Sequence, residues 1–299
     1  MHYNAIGPWL TEQFGGKVIK LSLDGGFTCP NRDGTCGTGG CAFCSDDGSG
    51  TFASPASAGS IEAALREQIT LQRRKWPEAK YIAYFQSHTN TYAPPQKLRE
   101  LWDAALAFDG VIGLAVATRP DCLPDEILDL LEEYNQKTFL WVELGLQTSR
   151  EQTAREFNRG YANAVFEKAM KDLSSRGIKT VIHLILGLHG EKKEDFLRSA
   201  EYVGGFRPFG IKLHMLHIMK GTPYAAYANE PILSMNEYVS CICDILERLP
   251  QEITVHRLTG DAPGKMLITP EWTRNKHSVL NAIQHEFALR GTYQGIHCK

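Results

Sequence analysis

A chain of 299 residues, 43% hydrophobic and 22% charged, has the composition of an ordinary globular protein and enough length for one large domain or two small ones. A formal net charge of −2 supplies no overall field to draw a polyanion, so any nucleic-acid contact must be local. No run approaches the roughly 18 apolar residues of a membrane span, and residues 1–10 lack a basic segment followed by an apolar one, so the expected location is the cytoplasm.

The first predicted strand, 17–23, runs into a glycine-rich loop, 24–45, that holds Cys29, Cys36, Cys41 and Cys44. Ser60 caps a helix whose apolar face is Ile61, Leu65 and Ile69, and Pro77 stops it. A short apolar run over 81–86 is a buried strand, with Gln86, His88 and Thr89 at its polar tip. A helix over 96–108 and a strand over 112–118 follow, and the tip of that strand is Arg119-Pro120-Asp121. Pro124, then Asp125 and Glu126, open the next helix as the helix dipole prefers. The strand 139–146 ends in Gln147, and Asn163 caps a helix to Arg176 that Gly177 closes. The strand 180–186 and a helix over 192–203 follow, then the strand 211–218, whose helix after Ser234 completes six βα units. A strand over 252–257 and a helix over 278–290 end the chain.

Strands alternating with helices of 10–15 residues mean a parallel sheet. With no linker or repeat, the expectation is one α/β domain: a partial (β/α)6-type barrel over about 17–220, extended by a strand and helices over about 221–299. Chemistry in such folds sits at the carboxyl ends of the strands, where this chain carries its polar tips and its cysteine loop.

The four thiols are spaced C-x6-C-x4-C-x2-C. Two metal sites suit them. All four could close a tetrahedral zinc site, or three could hold a 4Fe–4S cluster with one iron open. A zinc staple belongs in small domains without a core, which this chain is not, so position favours iron–sulfur. Cys122, Cys241 and Cys243 sit in apolar context and read as buried small hydrophobes, and Cys298 as an idle thiol.

The residues Cys29-Pro30-Asn31-Arg32-Asp33-Gly34, Gly40-Cys41-Ala42-Phe43-Cys44, Thr118-Arg119-Pro120-Asp121, Glu143-Leu144-Gly145-Leu146-Gln147-Thr148 and Lys212-Leu213-His214 give the chain its resemblance. It resembles the radical SAM superfamily. More closely, it resembles a short bacterial branch related to the Elongator catalytic subunit and to oxygen-independent coproporphyrinogen oxidase. The resemblance implies a 4Fe–4S cluster on Cys29, Cys41 and Cys44, with Cys36 unligated, and S-adenosylmethionine cleaved to a 5′-deoxyadenosyl radical. The spacing C-x11-C-x2-C departs from the superfamily's usual C-x3-C-x2-C. Ala117 stands where the larger relatives carry a glutamate, so one carboxylate contact to the cofactor is missing or comes from elsewhere.

Cofactor contacts implied by the resemblance are Phe43 at the adenine and Gln86, His88 and Thr89 near the methionine amino group. Glu143, Gln147 and His183 belong on the ribose side, and Arg159 at the methionine carboxylate. A bland alternative pairs Glu143 with Lys212. Lys212 and His214, two apart on one strand face, are expected to meet the substrate. The implied substrate is the wobble uridine in a tRNA anticodon loop, its 5-carboxymethylaminomethyl group becoming 5-aminomethyl. A flavodoxin or ferredoxin is the implied electron donor. A small molecule such as a tetrapyrrole is the second substrate class, and a non-catalytic zinc module is the third reading. Candidate basic patches for RNA are Arg73, Arg74, Lys75 and Lys80, and Lys168, Lys171, Arg176 and Lys179.

Overall fold

The structure, a computed structural model, describes residues 2–46, 48, 52–57, 59–73, 76–262 and 264–298, with Arg73 described by its backbone alone. Helix α1 (Ile6–Phe14) leads into β1 (Val18–Asp24), and β2 (Ser54–Pro55) is a short edge strand after the cysteine loop. There follow α2 (Ile61–Arg73), β3 (Lys80–Phe85), α3 (Pro95–Leu106), β4 (Val111–Thr118), α4 (Asp125–Lys137) and β5 (Phe139–Gln147). Next come α5 (Glu151–Glu156), α6 (Asn163–Ser175), β6 (Lys179–Leu186), α7 (Lys193–Gly205), β7 (Gly210–Met215) and β8 (Ile218–Met219). The chain ends with α8 (Met235–Arg248), β9 (Thr254–Arg257), β10 (Leu267–Thr269) and α9 (Lys276–Arg290).

Among the described residues, eight strands form one parallel sheet in the order β2-β1-β3-β4-β5-β6-β7-β9, curled into a half-barrel. The strands are buried on both faces, so they read as apolar runs in the sequence. Leu114, Val116, Leu140, Val142, Ile182 and Leu184 meet the covering helices on the outer face. The C-terminal strand does not stand apart: β9 pairs with β7 and continues the same sheet.

Alternate residues face inward and form layers. The lowest is apolar: Val18, Ile82, Ala115, Trp141 and Val181. Helix α1, which the sequence reading missed, closes this end with Ile6, Trp9, Leu10 and Phe14. Gly7-Pro8 hid it, yet proline in a first turn costs no hydrogen bond. The next inward positions are Lys20, Tyr84, Glu143, His183 and Lys212, and above them a cavity opens.

Beyond shifts of a few residues at helix and strand ends, a strand end and a helix cap differ from expectation. The strand expected over 211–218 leaves the sheet at Met215, and Ile218 and Met219 pair antiparallel with β10 instead. Asn163 does not cap α6: it is the first helical residue, Ala162 holds the N-cap position without a side-chain cap, and the Asn163 side chain accepts from Arg159.

Candidate active site

A cavity of about 490 Å³ lies at the carboxyl ends of the strands. Cys29, Cys41, Phe43 and Cys44 line it, and Cys36 does not. Cys36 is exposed, with the Arg119 Nη2 3.7 Å from its sulfur. Burial pushes the Cys41 thiol up to about 12, and raises Cys44 against the pull of the nearby Arg32 charge. A metal that takes these sulfurs therefore displaces protons. Among the described residues no three His, Cys, Asp or Glu side chains converge on a single ion.

The loop is pinned from the far side of the barrel. Asn158, at φ 60°, donates through its amide to the carbonyls of Thr38 and Gly40. Its own carbonyl accepts from the Asn31 amide at 2.5 Å, and that amide lies 3.9 Å from the Cys41 sulfur. The Ala42 N–H donates to the Phe157 carbonyl, and the Tyr224 N–H donates to the Ala42 carbonyl. The Phe43 ring rests against Phe157 at 5.2 Å while still reaching the cavity.

Arg159 does not offer its fork to a ligand. Its side chain is 1% exposed, and all five N–H groups are met by protein. Nη1 donates to the carbonyls of Leu146 and Thr148, Nη2 to Asn163 Oδ1 and Glu151, and Nε to the Tyr161 carbonyl. The Arg159 carbonyl in turn accepts from Arg119. Arg159 is a buried brace under the turn that pins the cysteine loop. Arg159→Ala should cost about 3 kcal/mol of stability, since several backbone carbonyls lose a charged donor. It should also lower the iron retained on reconstitution. Thermal melts and iron analysis check this; full iron and an unchanged melt would remove the brace role.

Glu143 also departs from its expected role. Its carboxylate is buried and ringed by donors: Tyr84 Oη at 2.6 Å, Trp141 Nε1 at 2.9 Å, His183 Nε2 at 2.8 Å and the Lys212 ammonium. Lys20 stands 3.9 Å away. Burial works against ionisation, but Lys212, Lys20 and His183 outweigh it and hold Glu143 well below its ordinary value. Burial pulls Lys212 down in turn, and the Glu143 charge is what opposes that. The pairing of Glu143 with Lys212 is therefore the observed one, and the pair stands at the floor of the cavity, which both side chains help to line. Glu143 sits beside Ala117 across the β4–β5 ladder, so a carboxylate is present next to the residue that departs from the larger relatives.

Gln86, His88, Thr89, Gln147, His183 and His214 all line the cavity. His88 and Gln147 hold positive φ, 54° and 69°. Gly145 leaves the room that the Gln147 amide occupies, since a Cβ there would lie 2.7 Å from Gln147 Nε2. Thr89 Oγ1 and His214 Nε2 are buried without a partner among the described residues. His217 and Arg257 also line the cavity, and Arg257 was not singled out from the sequence. A polar residue at a strand tip was the available signal for Arg257.

The candidate basic patches change. Arg74, Lys75 and the Arg73 side chain lie outside the described residues. Lys168 pairs with Asp172, and Arg176 with Asp129 and Glu132, so that helix face is neutralised rather than basic. Lys80 donates to the Phe14 carbonyl.

Residues 32–203 match the family described as the Radical SAM superfamily, and residues 208–288 match the Radical_SAM C-terminal domain. The chain is 45% identical over 296 residues to YtqA of Bacillus subtilis (strain 168), covering 98% of this chain and 92% of that one. It is 39% identical over 300 residues to YhcC of Escherichia coli (strain K12), covering 98% and 95%. The fold is shared with the archaeal Methanocaldococcus infernus Elp3 lacking its N-terminus, at a TM-score of 0.70 and 15% identity, covering 93% of this chain and 64% of that one.

Proposed function

The chain belongs to the radical SAM superfamily, and from that premise we propose that it acts on the wobble uridine of tRNA, taking 5-carboxymethylaminomethyl uridine to 5-aminomethyl uridine. The protein is an enzyme whose cofactors are a 4Fe–4S cluster and S-adenosylmethionine. When bound, these supply the one-electron cleavage that yields a 5′-deoxyadenosyl radical.

We assign the cluster to Cys29, Cys41 and Cys44. The observation that supports this is the shared cavity: three thiols line it, and the fourth, Cys36, is exposed and does not. Phe43 offers a ring beside them, and Gln86, His88 and Thr89 are assigned to the methionine end of the cofactor. Gln147 and His183 are assigned to the ribose. Below this level the apolar plug of α1 and the Glu143 layer keep solvent from entering through the base. The reductant is assigned to a flavodoxin or ferredoxin. No helix among the described residues is long and apolar enough to cross a membrane.

The RNA reading rests on the motifs shared with the Elongator catalytic subunit, together with a cavity that opens at the strand tips. A single-stranded anticodon loop can splay a base into such an opening, and a duplex cannot. Lys220 follows the cavity-lining Met219 and donates its N–H to the carbonyl of Met266, the residue after Lys265; both lysines are exposed. Neutralising both should weaken tRNA binding and reduce its salt slope by about 2.

The deciding experiment is mass analysis of wobble nucleosides in a strain lacking the gene, chosen from an organism that makes the shorter modification. The 5-carboxymethylaminomethyl form should accumulate at the expense of 5-aminomethyl uridine and its methylated derivative. An unchanged nucleoside profile would reject tRNA as the substrate.

A further inference from the structure

We propose that Arg257, His214 and His217 form a subsite for a carboxylate of the substrate, at the edge of the cavity opposite the cysteines. The proposal rests on the reading of the cavity as the place where substrate meets the cofactor.

Topology separates the two ends. The cysteine loop follows β1, whereas Arg257 ends β9 at the other edge of the sheet. His214 sits on β7, the neighbour of β9, and His217 lies just past the point where the chain leaves that strand. All three line the cavity.

Charge at this end is not closed within the protein. Lys212 and Lys20 share Glu143. Asp261 is the nearest carboxylate to Arg257, at 3.9 Å, but it is in direct contact with the Lys276 ammonium. Among the described residues no Arg257 N–H is hydrogen-bonded to protein, in contrast to the five engaged groups of Arg159. Nε2 of His214 and of His217 are buried without partners. Burial, with the Arg257 charge behind it, holds both rings neutral; His217 falls to about 4. A buried imidazole left unpaired costs free energy until a ligand meets it.

A guanidinium whose ion pair to the cavity-lining Asp261 is long and shared with Lys276, flanked by two neutral imidazoles that can each donate one N–H, matches the lone pairs of one carboxylate. The methionine carboxylate of the cofactor belongs at the cysteine end, so the partner here is the substrate. The carboxymethyl group of the proposed nucleoside carries such a carboxylate, and so do the propionates of a tetrapyrrole. The proposal is therefore stated for the carboxylate, and the experiment separates its sources.

Reconstituted holoenzyme would be titrated with an anticodon stem-loop bearing 5-carboxymethylaminomethyl uridine, and with the same RNA whose carboxylate is amidated. The free acid should bind at least about tenfold more tightly, the worth of one charge-assisted contact. Arg257→Met should erase that preference, while Arg257→Lys should keep part of it and guard against a folding defect. RNA that binds with no preference for the acid overturns the subsite and leaves the RNA reading standing. RNA that binds in neither form overturns the RNA reading, and coproporphyrin III against its methyl ester then decides the subsite. Absence of an acid preference there too ends the proposal.

Discussion

Cys29→Ala, Cys41→Ala and Cys44→Ala should each abolish the brown chromophore of the anaerobically reconstituted protein, whereas Cys36→Ala should keep it. Iron should fall from about four atoms per chain to near none in the first three and stay near four in the last. The reason is placement. Three sulfurs line one cavity, and Cys36 is exposed and does not line it. Production of 5′-deoxyadenosine with dithionite and S-adenosylmethionine should follow the iron. A single tightly held zinc in a colourless wild-type protein would refute the assignment outright. A Cys36→Ala protein that lost its iron would mean that the loop rearranges on metal binding to bring the fourth thiol in.

The strands were readable because a parallel strand buried on both faces leaves an unbroken apolar run, and because polar residues collect at its tip. The half-barrel and the place of the cysteine loop follow from that pattern. Side-chain partners were less readable. Arg159 looked like a carboxylate ligand because a guanidinium near a cofactor loop usually is one. Three of its partners are backbone carbonyls of Leu146, Thr148 and Tyr161, and backbone carbonyls leave no mark in a sequence. Lys212 was correctly placed on an inward face, but period-two alternation fixes the face and not the partner. That partner, Glu143, comes from a strand 69 residues away in sequence. Arg257 went unnoticed because its meaning depends on what it lacks, and unpaired donors show only when the neighbours are in place.

Glu143→Ala should be among the most damaging single substitutions outside the cysteine loop, at about 3–5 kcal/mol. The carboxylate is the anion that Lys212 and Lys20 share in a buried layer, so its loss strands two ammonium groups. Lys212→Met should cost less. Lys20, Tyr84, Trp141 and His183 still face the carboxylate when Lys212 is gone. The double variant Glu143→Gln with Lys212→Met removes both charges, and it should be more stable than Glu143→Ala by about 1–3 kcal/mol. Acid should expose the same group. Its folded pKa lies below its ordinary 4.5, so its contribution is complete above that value and is lost as the pH falls toward the folded value. Urea midpoints for the wild type should therefore drop below about pH 4.5 more steeply than those for Glu143→Gln. Equal acid limbs, or a cost under about 1 kcal/mol for Glu143→Ala, would show that the layer is wet enough to solvate its lysines. The carboxylate, which already lines the floor of the cavity, would then be free to leave its lysines and meet a ligand.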